Sequence, residues 1–132
     1  MFKIKERINF YDCDPAGIMF YGNIYRVTHK AYELFLEHLF PEQNVFTNQE
    51  VVLPIIHSEA DYFNPLVTSD EVEVQIKVSS LKKSSFELNY EVIKGEKICC
   101  SVKTVHVSVS KKTFEKIELP KELKERLENH LK

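Results

Sequence analysis

The sequence predicts an α+β fold in which one long helix packs against a curled antiparallel sheet. Three observations carry that reading. Between Asn23 and Leu39 the apolar residues recur with a helical period, whereas later in the chain they alternate with a period of two. The alternating segments follow one another through short turns, as neighbouring antiparallel strands do. One helix cannot cover both faces of such a sheet, so it must occupy the concave face of a sheet that curls.

Taken in order, Phe2 to Phe10 alternates imperfectly, with Phe2, Ile4, Ile8 and Phe10 on one face, and predicts the first strand. Turn residues from Asp12 to Gly17 end it. From Asn23 to Leu39, residues Ile24, Val27, Ala31, Leu34, Phe35 and His38 form one buried stripe on a helix. At about 1.5 Å per residue that helix is roughly 25 Å long, enough to cross a small sheet. Gly22 and Asn23 suit its start, and Pro41 lies just past its end. Phe40 to Val51 reads as a polar connection and Val52 to Phe63 as a strand, followed by a turn at Pro65 and Ser69-Asp70. Glu71 to Val78 alternates without fault and is a strand. Ser84 to Ile93 is the next, with Phe86, Leu88, Tyr90 and Val92 on one face, and Lys94-Gly95-Glu96 makes a tight hairpin turn. Lys97 to Val109 is a long strand whose alternation slips near Lys103 to Val105, which predicts a bulge there. Phe114 and Ile117 suggest a short last strand. Pro120 then opens a small helix carrying Leu123, Leu127 and Leu131 at i+4 spacing. Hydrophobic residues left over on a strand edge argue for pairing with a second copy of the chain.

Composition narrows the function classes. The 132 residues suit one domain, read here as 1–132, and 43% hydrophobic content supplies a real core. A formal net charge of −2 gives no general attraction to nucleic acid or to an anionic membrane. No apolar run reaches the roughly 18 residues that span a bilayer. The start, Met1-Phe2-Lys3-Ile4-Lys5-Glu6, lacks a signal-peptide apolar region, which predicts a cytoplasmic protein. The three cysteines, Cys13, Cys99 and Cys100, have no metal-ligand spacing and read as free thiols in a reducing compartment, with Cys99 and Cys100 on opposite faces of a strand. His29, His38 and His130 fall on predicted helices and His57 and His106 on strands, without H-x-x-x-H or H-E-x-x-H, so no metal site is expected. The serine-hydrolase G-x-S-x-G, the dinucleotide G-x-G-x-x-G and the Walker A pattern are all missing from the sequence.

The chemistry concentrates in Tyr11 to Asn23. Pro15 pushes Asp14 out of the α region, and Gly17 permits a conformation that other residues resist. A carboxylate there serves as nucleophile or general base, or simply closes an Asx-type turn. Asp12 is the competing carboxylate, with a turn or surface charge as its plainer role. Tyr21, Gly22 and Asn23 fall where the helix starts. Their backbone N–H groups lack intrahelical partners and have the positive end of the macrodipole behind them, a setting for a developing oxyanion or for ordinary capping. Leu81-Lys82-Lys83-Ser84-Ser85 is a short basic turn that suits a phosphate or only solvent.

The run Asp12-Cys13-Asp14-Pro15-Ala16-Gly17-Ile18-Met19-Phe20-Tyr21-Gly22-Asn23-Ile24-Tyr25 resembles the hotdog-fold acyl-CoA thioesterases. It is most similar to the 4-hydroxybenzoyl-CoA thioesterase type, with its pattern D-x-D-P-A-G-I-V-[WYF]-Y-x-N-Y. A weaker likeness continues through Pro54, Ala60-Asp61-Tyr62-Phe63, Pro65, Asp70-Glu71-Val72 and Lys82-Lys83-Ser84-Ser85-Phe86. The resemblance implies a hotdog fold and a thioester hydrolase acting on acyl-CoA, with no cofactor beyond the CoA of the substrate. It implies that Asp14 is catalytic, that the Tyr21 N–H binds the thioester carbonyl, and that Lys82, Lys83 and Ser85 meet the CoA nucleotide phosphates. It also implies a homodimer or homotetramer with active sites at subunit interfaces. A sister group, the Tol-Pal-associated short-chain enzymes, often has histidine where Tyr21 stands, so this chain leans toward aryl substrates. The usual arginines of the basic turn are lysines here, point charges rather than planar forks.

The expected activity is hydrolysis of a small aromatic or short-chain acyl-CoA to the free acid and CoA. Gly22, Asn23, Tyr25 and His57 are the expected substrate contacts, with Phe20 and Tyr62 as further aromatic wall. Two other readings remain: a module that binds acyl-CoA without turning it over, and an acyl thioester dehydratase. The latter needs a histidine paired with a carboxylate at the site, and the motif loop has no histidine.

Overall fold

The computed structural model describes residues 1–42 and 50–131, so positions 43–49 of the expected polar connection lie outside the described residues. In chain order the elements are β1 (Phe2–Arg7), α1 (Ile24–Leu39), β2 (Val51–Val52), β3 (Ile55–Tyr62), β4 (Glu71–Leu81), β5 (Ser85–Lys94), β6 (Lys97–Val107), β7 (Val109–Ser110) and α2 (Lys121–Glu128). Five strands make one antiparallel sheet in the order β1-β4-β5-β6-β3, and β2 pairs with β7 apart from it. The α+β architecture is as expected: one long helix, a curled antiparallel sheet and a short C-terminal helix. Among the described residues no helix is long and apolar enough to cross a membrane.

Alternation sets the core. Val72, Val74, Ile76 and Val78 of β4 and Phe86, Leu88, Tyr90 and Val92 of β5 are buried in one cluster with Ile24, Val27, Ala31 and Phe35 of α1. Removing those side chains from water is the main force pressing helix to sheet. Leu123 and Leu127 of α2 close the same core. There Arg126 stacks over the Phe40 ring at 4.4 Å and donates to the Leu39 carbonyl, so α2 caps the end of α1.

Several boundaries differ from the sequence reading. β1 stops at Arg7, and Phe10, 83% exposed, opens a 3₁₀ turn with Asp12 instead of extending the strand. The stripe of α1 includes Thr28, Tyr32, Leu36 and Leu39, whereas Leu34 is only part-buried and His38 is exposed. The strand expected over Val52 to Phe63 is two pieces, because Pro54 interrupts it between β2 and β3. The bulge expected in β6 at Lys103 to Val105 falls on its partner, where Ile56 of β3 is the extra residue opposite the Val105–His106 step. On the other side the β5–β6 register is regular there, with Thr104 and His106 facing the core. The β5–β6 ladder shifts at Cys99: Val92 opposes Cys100 and Ile93 opposes Ile98, leaving Cys99 as the extra residue. Two adjacent bulge residues can turn the same way, and both cysteines are buried rather than split between faces. The expected strand at Phe114 and Ile117 is reduced to one antiparallel bridge, Lys116 opposite Val109, because Phe114 turns at φ 61° and is exposed. α2 ends at Glu128, so His130 lies beyond it and Leu131 is exposed.

Register places the functional elements at two ends. Arg7 opposes Glu71, so the chain leaves β1 at the Glu71 end of β4 and the loop to α1 lies there. Tyr62 at the end of β3 and the β5–β6 hairpin, turning at Gly95 with φ 62°, share that end. The Lys82-Lys83 turn sits at the other end of β4, roughly 35 Å away at strand rise. β3 is an edge strand with Ile55 and Ile56 exposed.

Candidate active site

The loop between β1 and α1 is built on Asp12. This residue is 1% exposed, so it is not the surface charge expected of it, although it does fill the expected turn role. Its Oδ2 accepts from the Asn9 N–H at 2.8 Å, closing the 3₁₀ turn. Arg26, in the first turn of α1, donates to both carboxylate oxygens at 2.6 Å. That two-pronged hydrogen bond raises the Arg26 pKa above its ordinary value. The Asp12 carbonyl accepts from the Phe20 N–H at 2.9 Å and from the Asn23 amide at 2.8 Å. Asn23 therefore ties the helix start to the loop with its side chain and leaves the helix itself without a side-chain cap.

Two residues on, Asp14 is half-buried at the tip. Its N–H donates to the Ile18 carbonyl at 3.0 Å, its carbonyl accepts from Gly17 at 2.9 Å, and its Oδ1 accepts from the Ala16 N–H at 2.8 Å. That is an Asx-type turn. It requires Gly17 at φ 85°, and Cys13 then bridges Met19 as the chain returns. The second carboxylate oxygen, Oδ2, accepts no hydrogen bond among the described residues. The turn thus orients the carboxylate and leaves one oxygen available for chemistry.

Past the tip, Tyr21–Asn23 forms a 3₁₀ turn that runs straight into α1. Tyr21 and Gly22 open the turn, so their N–H groups have no acceptor within it, and the positive end of α1 lies behind them. A Cβ at position 22 would stand 3.2 Å from the exposed Phe20 ring, so a side chain there would displace that ring by a few tenths of an ångström. Across from it, the Tyr62 hydroxyl donates to the Tyr21 carbonyl at 2.6 Å. A cleft of about 360 Å³ lies here, walled by Ile18, Met19, Tyr21, Tyr62, Phe63 and Cys100 among others. Burial pushes the Cys100 thiol up to about 11, which keeps it neutral.

A second cleft, about 330 Å³, opens between α1 and the β3 side of the sheet. Tyr25, Thr28, His29, Ser58, Tyr90 and Thr104 line it, with Ile55. Its floor continues inward as a chain of polar groups: Tyr90 to Thr104 at 3.2 Å, then Thr104 to His106 Nε2 at 2.9 Å. His106 is stacked between the Tyr32 and Phe86 rings at 4.6 and 4.8 Å, and burial lowers its pKa to about 4, so the chain is uncharged.

The expected site residues therefore divide. Asp14, Tyr21, Gly22 and Asn23 share one loop, and Tyr25 is the second residue of the helix. His57 is not brought to them within the chain. It opposes Val105 on the outer face of the sheet and pairs with Glu59 at 3.0 Å, whereas its neighbour Ser58 faces the cleft. Lys82, Lys83 and Ser85 are at the far end of β4. The Lys82 N–H donates to the Ser85 carbonyl at 2.8 Å, and Lys83 pairs with Glu118 at 3.2 Å, both side chains exposed. Sequence reasoning missed Arg26, His29 and Ser58, and it took Tyr62 only as wall. An arginine in the otherwise apolar first turn of α1 was the one local signal. His29 and Ser58 meet only when helix and sheet pack. Among the described residues no cluster of His, Cys, Asp or Glu could hold a metal ion.

Comparison with known proteins converges on one group. A family profile described as the thioesterase-like superfamily matches residues 8–127. The chain is 30% identical to a 1,4-dihydroxy-2-naphthoyl-CoA hydrolase of Nostoc punctiforme, over 98% of this chain and 88% of that protein. A solved gentisyl-coenzyme A thioesterase superposes with a TM-score of 0.85 at 27% identity, covering 95% of this chain and 98% of the other. A 1,4-dihydroxy-2-naphthoyl-CoA thioesterase from Synechocystis shares the fold with a TM-score of 0.86 at 23% identity, over 96% and 94% of the two chains.

Proposed function

The chain belongs to the thioesterase-like superfamily and is a thioester hydrolase, and on that premise we propose that it cleaves a small acyl-CoA to the free acid and CoA. The observation that carries the reading is one loop presenting the free oxygen of Asp14 together with the unpaired N–H groups of Tyr21 and Gly22. Asp14 either attacks the thioester carbonyl or takes the proton of an attacking water. The carbonyl oxygen gains negative charge and is stabilised by the backbone donors and the α1 dipole. The C–S bond then breaks, and CoA leaves as a thiolate that needs no strong general acid; where Asp14 is the nucleophile, water then hydrolyses the resulting Asp14 acyl anhydride, releasing the free acid and restoring the carboxylate. The Tyr25, Thr28, Ser58, Tyr90 and Thr104 hydroxyls along the second cleft suit an aromatic acyl group bearing hydroxyls. The dihydroxynaphthoyl and gentisyl groups in the relatives' names support that class, ahead of a short aliphatic chain.

A full CoA site draws on a second subunit in this reading. If two copies pair antiparallel along the exposed β3 edge, the Tyr62 end of one meets the Ile55 end of the other. Ile55 opposes His106, and His106 opposes Phe86 just past the Lys82-Lys83 turn. The partner's lysines and Ser85 thereby approach the motif end, where they would meet the nucleotide phosphates.

The test is thiol release, followed with a disulfide dye, across a panel of acyl-CoAs. Hydroxylated aryl thioesters should rank highest by kcat/KM, and Asp14→Asn should lower release by about 10²–10⁴-fold. Tight CoA binding without thiol release from any of them would favour the non-catalytic module.

A further inference from the structure

Tyr62 belongs to the edge strand β3, yet its hydroxyl reaches the Tyr21 carbonyl in the helix-opening turn at 2.6 Å. The same carbonyl also accepts from the Ile24 N–H of α1. A trans peptide is planar, so the Tyr21 carbonyl and the Gly22 N–H point in opposite directions within one rigid unit. Holding the carbonyl from two sides fixes the direction of that N–H. A donor on the carbonyl also polarises the N–H at the other end. The neighbouring Phe20–Tyr21 peptide, which carries the Tyr21 N–H, is held separately, by the Asn23 N–H donating to the Phe20 carbonyl at 2.9 Å.

We propose that Tyr62 is a positioning residue whose hydroxyl orients and polarises the Tyr21–Gly22 peptide, making the Gly22 N–H a second oxyanion donor beside that of Tyr21. Resting on the thioesterase reading above, this inference adds a backbone donor and a side chain that sets it. Tyr62 is 44% exposed and lines the same cleft as Tyr21, so its ring contributes little to the core. Burial by its neighbours raises the phenol pKa, which keeps the hydroxyl a donor through the working range.

The decisive variant is Tyr62→Phe, which keeps the ring and removes the hydroxyl. With an acyl-CoA that the wild type hydrolyses, kcat should fall about 10–100-fold while KM stays within about twofold, since the hydroxyl binds backbone and not substrate. The Gly22 amide resonance should move in a ¹⁵N–¹H spectrum of the free protein, whether or not the protein turns over a thioester. A kcat within about twofold of wild type overturns the inference, as does a raised KM with kcat retained. So does a Gly22 resonance that stays in place. Absence of thiol release by the wild type would instead remove the proposed activity and leave the amide spectrum to judge the contact alone.

Discussion

Asp12 and Asp14 stand two residues apart in one loop and carry the same side chain, but the fold uses them differently. Asp12 is buried, and each of its three oxygens is taken by Asn9, Arg26, Phe20 or Asn23. Asp14 is half-exposed; its carbonyl accepts from Gly17 and one carboxylate oxygen from the Ala16 N–H, which leaves Oδ2 open. A carboxylate with all its partners already in place is poorly suited to chemistry. One that is oriented on one side and open on the other suits attack on a carbonyl. The loop thus separates anchoring from reactivity by burial alone.

Exchanging the two roles by mutation is the sharpest way to break that contrast. Asp14→Asn should lower kcat by about 10²–10⁴-fold, the range of a lost general base, with the urea midpoint unchanged. An unchanged turnover would remove Asp14 from the chemistry. Asp12→Asn should do the reverse. It leaves Arg26 facing an uncharged amide, and the loss should be about 2–3 kcal/mol in urea unfolding, below the value for a fully buried pair because Arg26 is 30% exposed. If Asp12→Asn left stability intact and abolished turnover, the assignment of roles would have to be inverted.

His106 extends the comparison to a buried base that is kept neutral. The unfolded histidine takes a proton near pH 6.5 and the folded one only near 4. Its contribution is therefore complete above pH 6.5 and is lost as pH falls toward 4, up to about 3 kcal/mol. Urea midpoints measured between pH 7 and 4 should show that decline, and His106→Gln should flatten it. Gly17→Ala is the smallest perturbation. At φ 85° an alanine is strained by about 1 kcal/mol. Thermal melts should register that loss, with turnover falling more than stability does, because the strained turn is the one that aims Asp14.

Much of the fold was legible because period reports burial directly. The perfect alternation of Glu71 to Val78 became β4, and the helical stripe from Ile24 became α1. The Pro15 and Gly17 punctuation marked a real turn with the free carboxylate at its tip. Pattern failed where a polar residue faces inward. Lys103 to Val105 reads as a slip in alternation, yet Thr104 within it points into the core and is partnered there by His106. Period cannot distinguish a misplaced polar residue from a partnered one.

The local chain by itself determined the motif turn, the start of the helix and the strands, since each depends on residues within a few positions of one another. What joined these parts was decided by tertiary structure alone. Arg26 reaches Asp12 across fourteen positions, Tyr62 reaches Tyr21 across forty-one, and the lysine turn is placed at the opposite end of β4 from Asp14. Such pairings leave no trace in spacing, because the distance between two side chains on different elements is set by how strands register and how the helix packs, and those are properties of the whole core.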